Sequence, residues 1–571
     1  MHRCEMPPVR NVNASRAKLA IVLPVTCTLA WAFALARANF VDITQRSGVK
    51  FQLENSPTSE KFLPETMGGG VALLDYDNDG RLDIFFVNGA RLSPAMNAKD
   101  SPDKSDPRFW NRLFHQNEDG SFTDSTEAAG LTGKAQNRYG MGVAIGDYDN
   151  DGWDDILVTG VGGNTLYHNN GNGTFSDVTE RSGVAGSGWT TSAGFFDYDN
   201  DGKLDLFICR YVEWSFGERR YCGDRTPGGR AYCHPDNFHG VPNLLFHNNG
   251  DGTFTDVSAK SGIANPDGKS LGVAFGDFDR DGWTDIYIAN DSVPCFLYHN
   301  NRNGTFTDVA PEAGVGFNED GQTFAGMGTD FADYDNDGKP DLVVTDLSNQ
   351  RYVIFHNNGQ GVFADATTQS GVGSATAPYS GWSTRFFDFD NDGWKDLFFA
   401  QGHVMDNIQQ TTPNIRYLQP PLLLRNTGGR FAIVDGGPGL KKSLAGRGAA
   451  FGDLDNDGRL DIVSTNLGEK AYILHNETEN TNGWVRLEFT GKKSNRDGIG
   501  CLVKVTSESN LSQFYTVNTA VGYLSSSDKR LTVGLGASHL AKSIELVWPS
   551  GIRQKFENIR AGTTVRAVEP I

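Results

Sequence analysis

Positive charge, cysteine and long apolar runs are all scarce in this chain of 571 residues. Lysine and arginine total 51 against 70 aspartates and glutamates, a formal net charge of -19. With no basic stripe to neutralise phosphates, nucleic acid is not expected as a partner. Past residue 38, no segment is long and apolar enough to span a bilayer. The seven cysteines include no Cys-x-x-Cys pair, so zinc-finger spacing is missing. No Gly-x-Ser-x-Gly elbow occurs either, which removes the usual signature of a serine hydrolase.

Aspartate is what the chain has in excess, and it is patterned. The phrase Asp-x-Asp-x-Asp-Gly-x-x-Asp occurs seven times. Its carboxylates are Asp75, Asp77, Asp79 and Asp83; Asp147, Asp149, Asp151 and Asp155; Asp197, Asp199, Asp201 and Asp205; and Asp277, Asp279, Asp281 and Asp285. The last three copies hold Asp333, Asp335, Asp337 and Asp341; Asp388, Asp390, Asp392 and Asp396; and Asp453, Asp455, Asp457 and Asp461. Four like charges in nine residues repel unless a hard cation neutralises them, and oxygen-only donors around a turn glycine suit calcium. Seven divalent ions would bring the formal charge from -19 to about -5. The helix-flanked EF-hand is the rival, but its bidentate Glu at position 12 is replaced here by Phe86, Ile208, Ile288 or Phe399.

The flanks are strands. Gly142 to Gly146 enters the second loop and Asp155 to Thr159 leaves it, so each loop is expected at the tip of a β-hairpin. A second phrase follows each loop, as in Asn164 to Val184, and reads as another hairpin. It recurs at Asn111, Asn243, Cys295 and Tyr352, and more loosely at Leu422. Loop starts lie 72, 50, 80, 56, 55 and 65 residues apart, which predicts four-stranded repeats in an all-β, seven-bladed β-propeller over residues 39–476. The seventh repeat lacks a fourth strand, while Phe40 to Val49 matches Phe175 to Val184 with no loop before it. That N-terminal strand is therefore predicted to complete the seventh blade and close the propeller.

Alternating strands without aspartate phrases fill residues 477–571, a small all-β C-terminal domain. Residues 1–38 have the make-up of an export signal peptide, with Arg3, Arg10, Arg16 and Lys18 before the apolar run Leu19 to Ala36. A secreted, cell-surface or periplasmic location is expected. Cys209, Cys222, Cys233, Cys295 and Cys501 follow the leader, an odd number. Cys222 and Cys233 lie in one insertion and are candidates for a local disulfide; a metal site from Cys222, Cys233, His234 and His239 is the alternative.

Taken in order, the two repeated phrases resemble the FG-GAP or VCBS repeats of integrin α-subunit propellers over residues 40–476. Asn495-Arg496, Gly498 to Gly500, Gly522 to Ser525, Gly534 to Gly536 and Val547 to Gly551 resemble the ASPIC/UnbV domain, with a departure at Gly498. The combination is similar to the cartilage acidic protein family and its bacterial relatives. The resemblance implies calcium, up to seven ions, held by the hairpin loops.

The expected function is an exported calcium-binding module for adhesion or assembly, recognising an extracellular or periplasmic protein or glycan. Insertions at 89–110, 210–242 and 402–421 are the candidate recognition surface. The alternative is a hydrolase or lyase acting in the propeller channel, with His234, Asp236, His239 or His403 as acid-base groups.

Overall fold

The computed structural model describes residues 37–571; all but the last two residues of the expected leader lie outside it. No helix among the described residues is long and apolar enough to cross a membrane. The protein is all-β. Seven sheets follow one another along the chain, each with four antiparallel strands; the first is built from Val71–Leu74, Asp83–Phe86, Arg112–Gln116 and Phe122–Asp124 and is extended to six by Ala520–Val521 and Ser525–Ser526. The seventh takes Gly446–Gly452, Asp461–Asn466 and Tyr472–Asn476 from the end of the repeats. Its fourth strand is Phe40–Asp42, with Phe40 opposite Asn476 and Asp42 opposite Leu474. The N-terminal segment thus pairs as its sequence pattern anticipated.

Both faces of each sheet are buried, which explains apolar runs in place of a half-polar alternation. In the first strand Val71 and Leu73 pack with residues of the seventh sheet, while Ala72 and Leu74 pack with the second. Every consecutive pair of sheets shares such a core, and the innermost strand of the seventh sheet lies beside that of the first. Each fully buried Leu, Ile or Phe in these layers contributes about 1.5–3 kcal/mol.

The C-terminal strands form two sheets around their own core. Gly483–Thr490 lies between Leu531–Gly536 and Thr563–Val568, and a second sheet holds Leu502–Ser507, Ser512–Thr516, Leu540–Val547 and Arg553–Arg560. Trp548 is buried in that core, edge-on to Phe489. Residues 36–571 nevertheless form one compact unit, because residues 517–530 leave the C-terminal sheets and run among the innermost strands. Ser526 pairs with Ala72 of the first sheet, and the Leu524 carbonyl accepts from the Val143 amide of the second. The Leu524 amide donates to Ser192 Oγ in the third sheet; Ala520 packs with Phe275 of the fourth. Gly522 exchanges two main-chain bonds with Thr329 of the fifth, and the Tyr523 amide donates to Ser383 Oγ of the sixth. The Asp528 amide donates to the Phe451 carbonyl of the seventh. One segment therefore touches all seven sheets as an axle. A Cβ on Gly70 would meet the Leu524 oxygen at 2.5 Å, so the approach requires glycine there.

Candidate metal centres and the insertion face

Each aspartate phrase joins the first and second strands of a sheet, as expected of hairpin tips. In the first loop Asp75 accepts from the amides of Asp79 at 2.9 Å and Gly80 at 2.8 Å, and Gly80 takes the left-handed conformation that this turn demands. Asp83, fully buried, accepts from the Tyr76 amide and, at 2.8 Å, from the Gln116 amide. The position-9 aspartate thus holds the loop against the third strand. Its counterparts Asp155, Asp205, Asp285, Asp341, Asp396 and Asp461 make the same pair of bonds. Position 1 repeats just as regularly in Asp147, Asp197, Asp277, Asp333, Asp388 and Asp453.

Histidine completes six of the loops, and reading the phrases as strands concealed it. His115 Nδ1 lies 3.4 Å from Asp77 and 3.2 Å from Asp83. His168, His247, His299 and His356 bridge positions 3 and 9 in the same manner, and His475 lies 2.9 Å from Asp461. Carboxylate oxygens of positions 3 and 5 gather with the imidazole, for example Asp149 and Asp151 with His168. Burial pushes Asp83 and Asp147 up to about 9 and Asp197 up to about 8. The hydrogen bond to the position-9 aspartate raises His168, His247, His299, His356 and His475. Crowded, buried carboxylates of this kind fit a divalent cation.

The sixth loop differs at the histidine position. Where the others carry histidine, Leu422–Asn426 carries Arg425, whose guanidinium meets Asp390 at 2.6 Å with both side chains buried, over the ring of Phe389.

Neighbouring loops are also linked. Asn78, at position 4 of the first loop, donates to the Gly152 carbonyl of the second at 2.9 Å. Asn150, Asn200, Asn336 and Asn391 reach Gly202, Gly282, Gly393 and Gly458 in turn, and Asn456 of the last loop reaches Gly80 of the first. Only the fourth loop has Arg280 at this position. The C-terminal sheets lie over these loops: Arg486 pairs with Asp453, and the Arg496 amide donates to Asn150 at 2.7 Å.

The insertions leave from the opposite strand ends, joining second strands to third strands. They meet one another: Arg219 donates to the Met96 carbonyl, and Asn407 to the Arg230 carbonyl at 3.1 Å. Cys222 and Cys233 form a disulfide, which removes both thiols from the alternative metal site with His234 and His239; Cys209, Cys295 and Cys501 are free and buried. Among the acid-base candidates, His234 and His403 line one cavity of about 170 Å³ with Asp291 and Trp382. Asp236 lies 3.3 Å from His234 on the exposed side, and His239 is not in the lining. Burial drives His403 down to about 4.

Comparison with known proteins matches the chain to two families. FG-GAP-like repeats match residues 75–158, 147–208, 236–288, 278–344 and 333–399, and the ASPIC and UnbV family matches residues 491–571. Mouse cartilage acidic protein 1 is 26% identical over 510 residues, covering 86% of this chain and 71% of the relative. The human protein is 25% identical over 525 residues, covering 87% and 71%. Among solved structures, an Agrocybe aegerita lectin described as recognising non-reducing terminal N-acetylglucosamine aligns with a TM-score of 0.38 and 18% identity, over 71% of this chain and 87% of that one.

Proposed function

The chain belongs to the FG-GAP-like repeat family and carries an ASPIC and UnbV domain, and from that premise we propose an exported, calcium-riveted, seven-bladed β-propeller that binds a protein or glycan. The seven sheets, the cores they share and the run of loop-to-loop asparagine bonds that returns from Asn456 to Gly80 support the closed propeller. The aspartates of loops one to five and seven are the proposed calcium ligands, with histidine holding position 9 in place. Hard carboxylate oxygens favour calcium over softer metals. The disulfide supports an oxidising, extracytoplasmic setting. Homology to cartilage acidic protein 1 across most of the chain supports an adhesion or assembly role.

One observation carries the recognition surface: the three insertions meet on the face away from the ion loops, while the C-terminal sheets lie over the loops themselves. Pull-down from cell surfaces or medium, with calcium and then with chelator, tests this. A partner retained only with calcium, and lost when residues 402–421 are replaced by a short Gly-Ser turn, is the expected result. Equal retention by that variant opposes the assignment.

A second reading, a hydrolase or lyase, draws on the cavity shared by His234 and His403. The propeller centre itself is filled by Tyr523 and Leu524, both fully buried, so chemistry would have to sit in this side cavity. Turnover that disappears in His403→Asn with an unchanged fold would favour it.

A further inference from the structure

We infer that the cleft between the fifth and sixth sheets and the C-terminal sheets is a binding site for a small ring-bearing carboxylate. The cleft encloses about 670 Å³, within the usual range for a small-molecule site. It opens beside the fourth loop, where Arg280 replaces the asparagine of the other six.

In a chain of net charge -19, this cleft is lined by six cations, Arg280, Arg385, Lys395, Lys504, Arg553 and Lys555, against the four carboxylates of Asp277, Asp330, Asp333 and Glu545. Aromatic rings and one carbonyl hold three of these cations. Lys395 donates to the Asp333 carbonyl and lies over Tyr515, and Lys504 and Arg280 lie against Phe514. Arg385 stands on Gly381–Phe387, the inner strand of the sixth sheet, and its side chain, like those of Arg280, Lys504 and Arg553, makes no hydrogen bond or ion pair with any described residue; its nearest ring, Phe451, is 5.7 Å away. Two carboxylates attract it without reaching it. Asp330 accepts from the Phe386 amide at 2.8 Å, and Asp528 is taken by Arg530 at 2.9 Å.

Half-buried, the Arg385 guanidinium keeps five donors without a protein partner, and a planar carboxylate is the group that satisfies it in two parallel bonds. Phe331, Phe386 and Phe514 line the walls beside it, and such aromatic walls suit a flat or ring-shaped body. An acidic sugar and an aromatic acid share this chemistry. The site lies on the C-terminal side of the sheets and is independent of the recognition surface assigned to the insertions.

Titration calorimetry on the calcium-saturated protein with D-glucuronate, benzoate and D-glucose tests the site. One or both carboxylates bind, and glucose is weaker by at least about tenfold. Preference for glucuronate assigns the sugar acid; preference for benzoate assigns the aromatic one. Arg385→Met loses at least about tenfold in affinity while its melting temperature stays within a few degrees. Should that variant melt early, Lys504→Gln on the cleft wall decides, with weaker carboxylate binding expected at an unchanged melt. The inference is overturned when neither carboxylate binds below about 10 mM, or when the folded variant binds as tightly as the parent.

Discussion

The hydroxyl of Tyr523 donates a 2.8 Å hydrogen bond to the carbonyl of Met67, across 456 residues of sequence. The ring is fully buried, 4.9 Å between centroids from Trp382, whose other side faces Arg447 at 4.0 Å. This contact locks the C-terminal segment into the centre of the seven sheets. Tyr523→Phe, which strands the Met67 carbonyl, is expected to cost about 1–2 kcal/mol, and Tyr523→Ala about 3–5 kcal/mol, read by chemical denaturation. If the C-terminal region folded as an independent appendage, the unfolding of the repeats would not respond.

The strand Phe40–Asp42 makes a second long-range tie, with Phe40 fully buried against Phe389 and Leu474. Deleting residues 39–50 removes Phe40 from the shared core of the sixth and seventh sheets and Val49 from that of the first and seventh. A melting temperature lower by several degrees is expected in calorimetry; an unchanged melt contradicts the closure.

Arg425 offers a clean internal comparison, since the same chain supplies six histidine versions of its site. Arg425→His is expected to raise the number of bound calcium ions by one, measured by native mass spectrometry. Asp390→Asn in the parent should leave the ion count unchanged while lowering stability by about 3–5 kcal/mol, because it removes the carboxylate of a buried ion pair.

His403 gives a pH signature. Its imidazole accepts from the Met405 amide at 3.0 Å, and burial, with Arg447 nearby, holds its folded value at about 4 against an ordinary 6.5. A histidine whose folded value is depressed contributes fully above pH 6.5; that stability is lost as pH falls from 6.5 towards 4. The loss amounts to about 3 kcal/mol. The stability difference between parent and His403→Asn should therefore shrink by about this amount across that window, and a constant difference would contradict the assignment.

The ion loops, their hairpins and the orphan N-terminal strand were all legible in the sequence because each is a local pattern repeated at intervals. The axle was not. Residues 517–530 hold their place through bonds to Ser192, Ser383, Thr329 and other groups scattered over the whole chain, and no periodicity marks such partners. Gly522 to Ser525 stood out only as one phrase of the ASPIC/UnbV resemblance. The histidines were visible, since His-Asn ends the third strand in five repeats and His-Gln in the first, but a strand reading assigns them no role. Arg425 broke that pattern in plain view, and its meaning required knowing that the residue points at Asp390. Sequence likewise suggested the Cys222 and Cys233 pairing without deciding between disulfide and metal.

Counting calcium on the intact chain tests the central claim most directly: the aspartate loops are ion rivets, one per sheet except the sixth. Native mass spectrometry after calcium saturation should find six ions per chain, and chelation should remove them with a fall in melting temperature, since ligands of the folded state stabilise it by mass action. Seven ions would mean that Arg425 yields its place. A chain that retains none, and melts identically with calcium and with chelator, contradicts the claim.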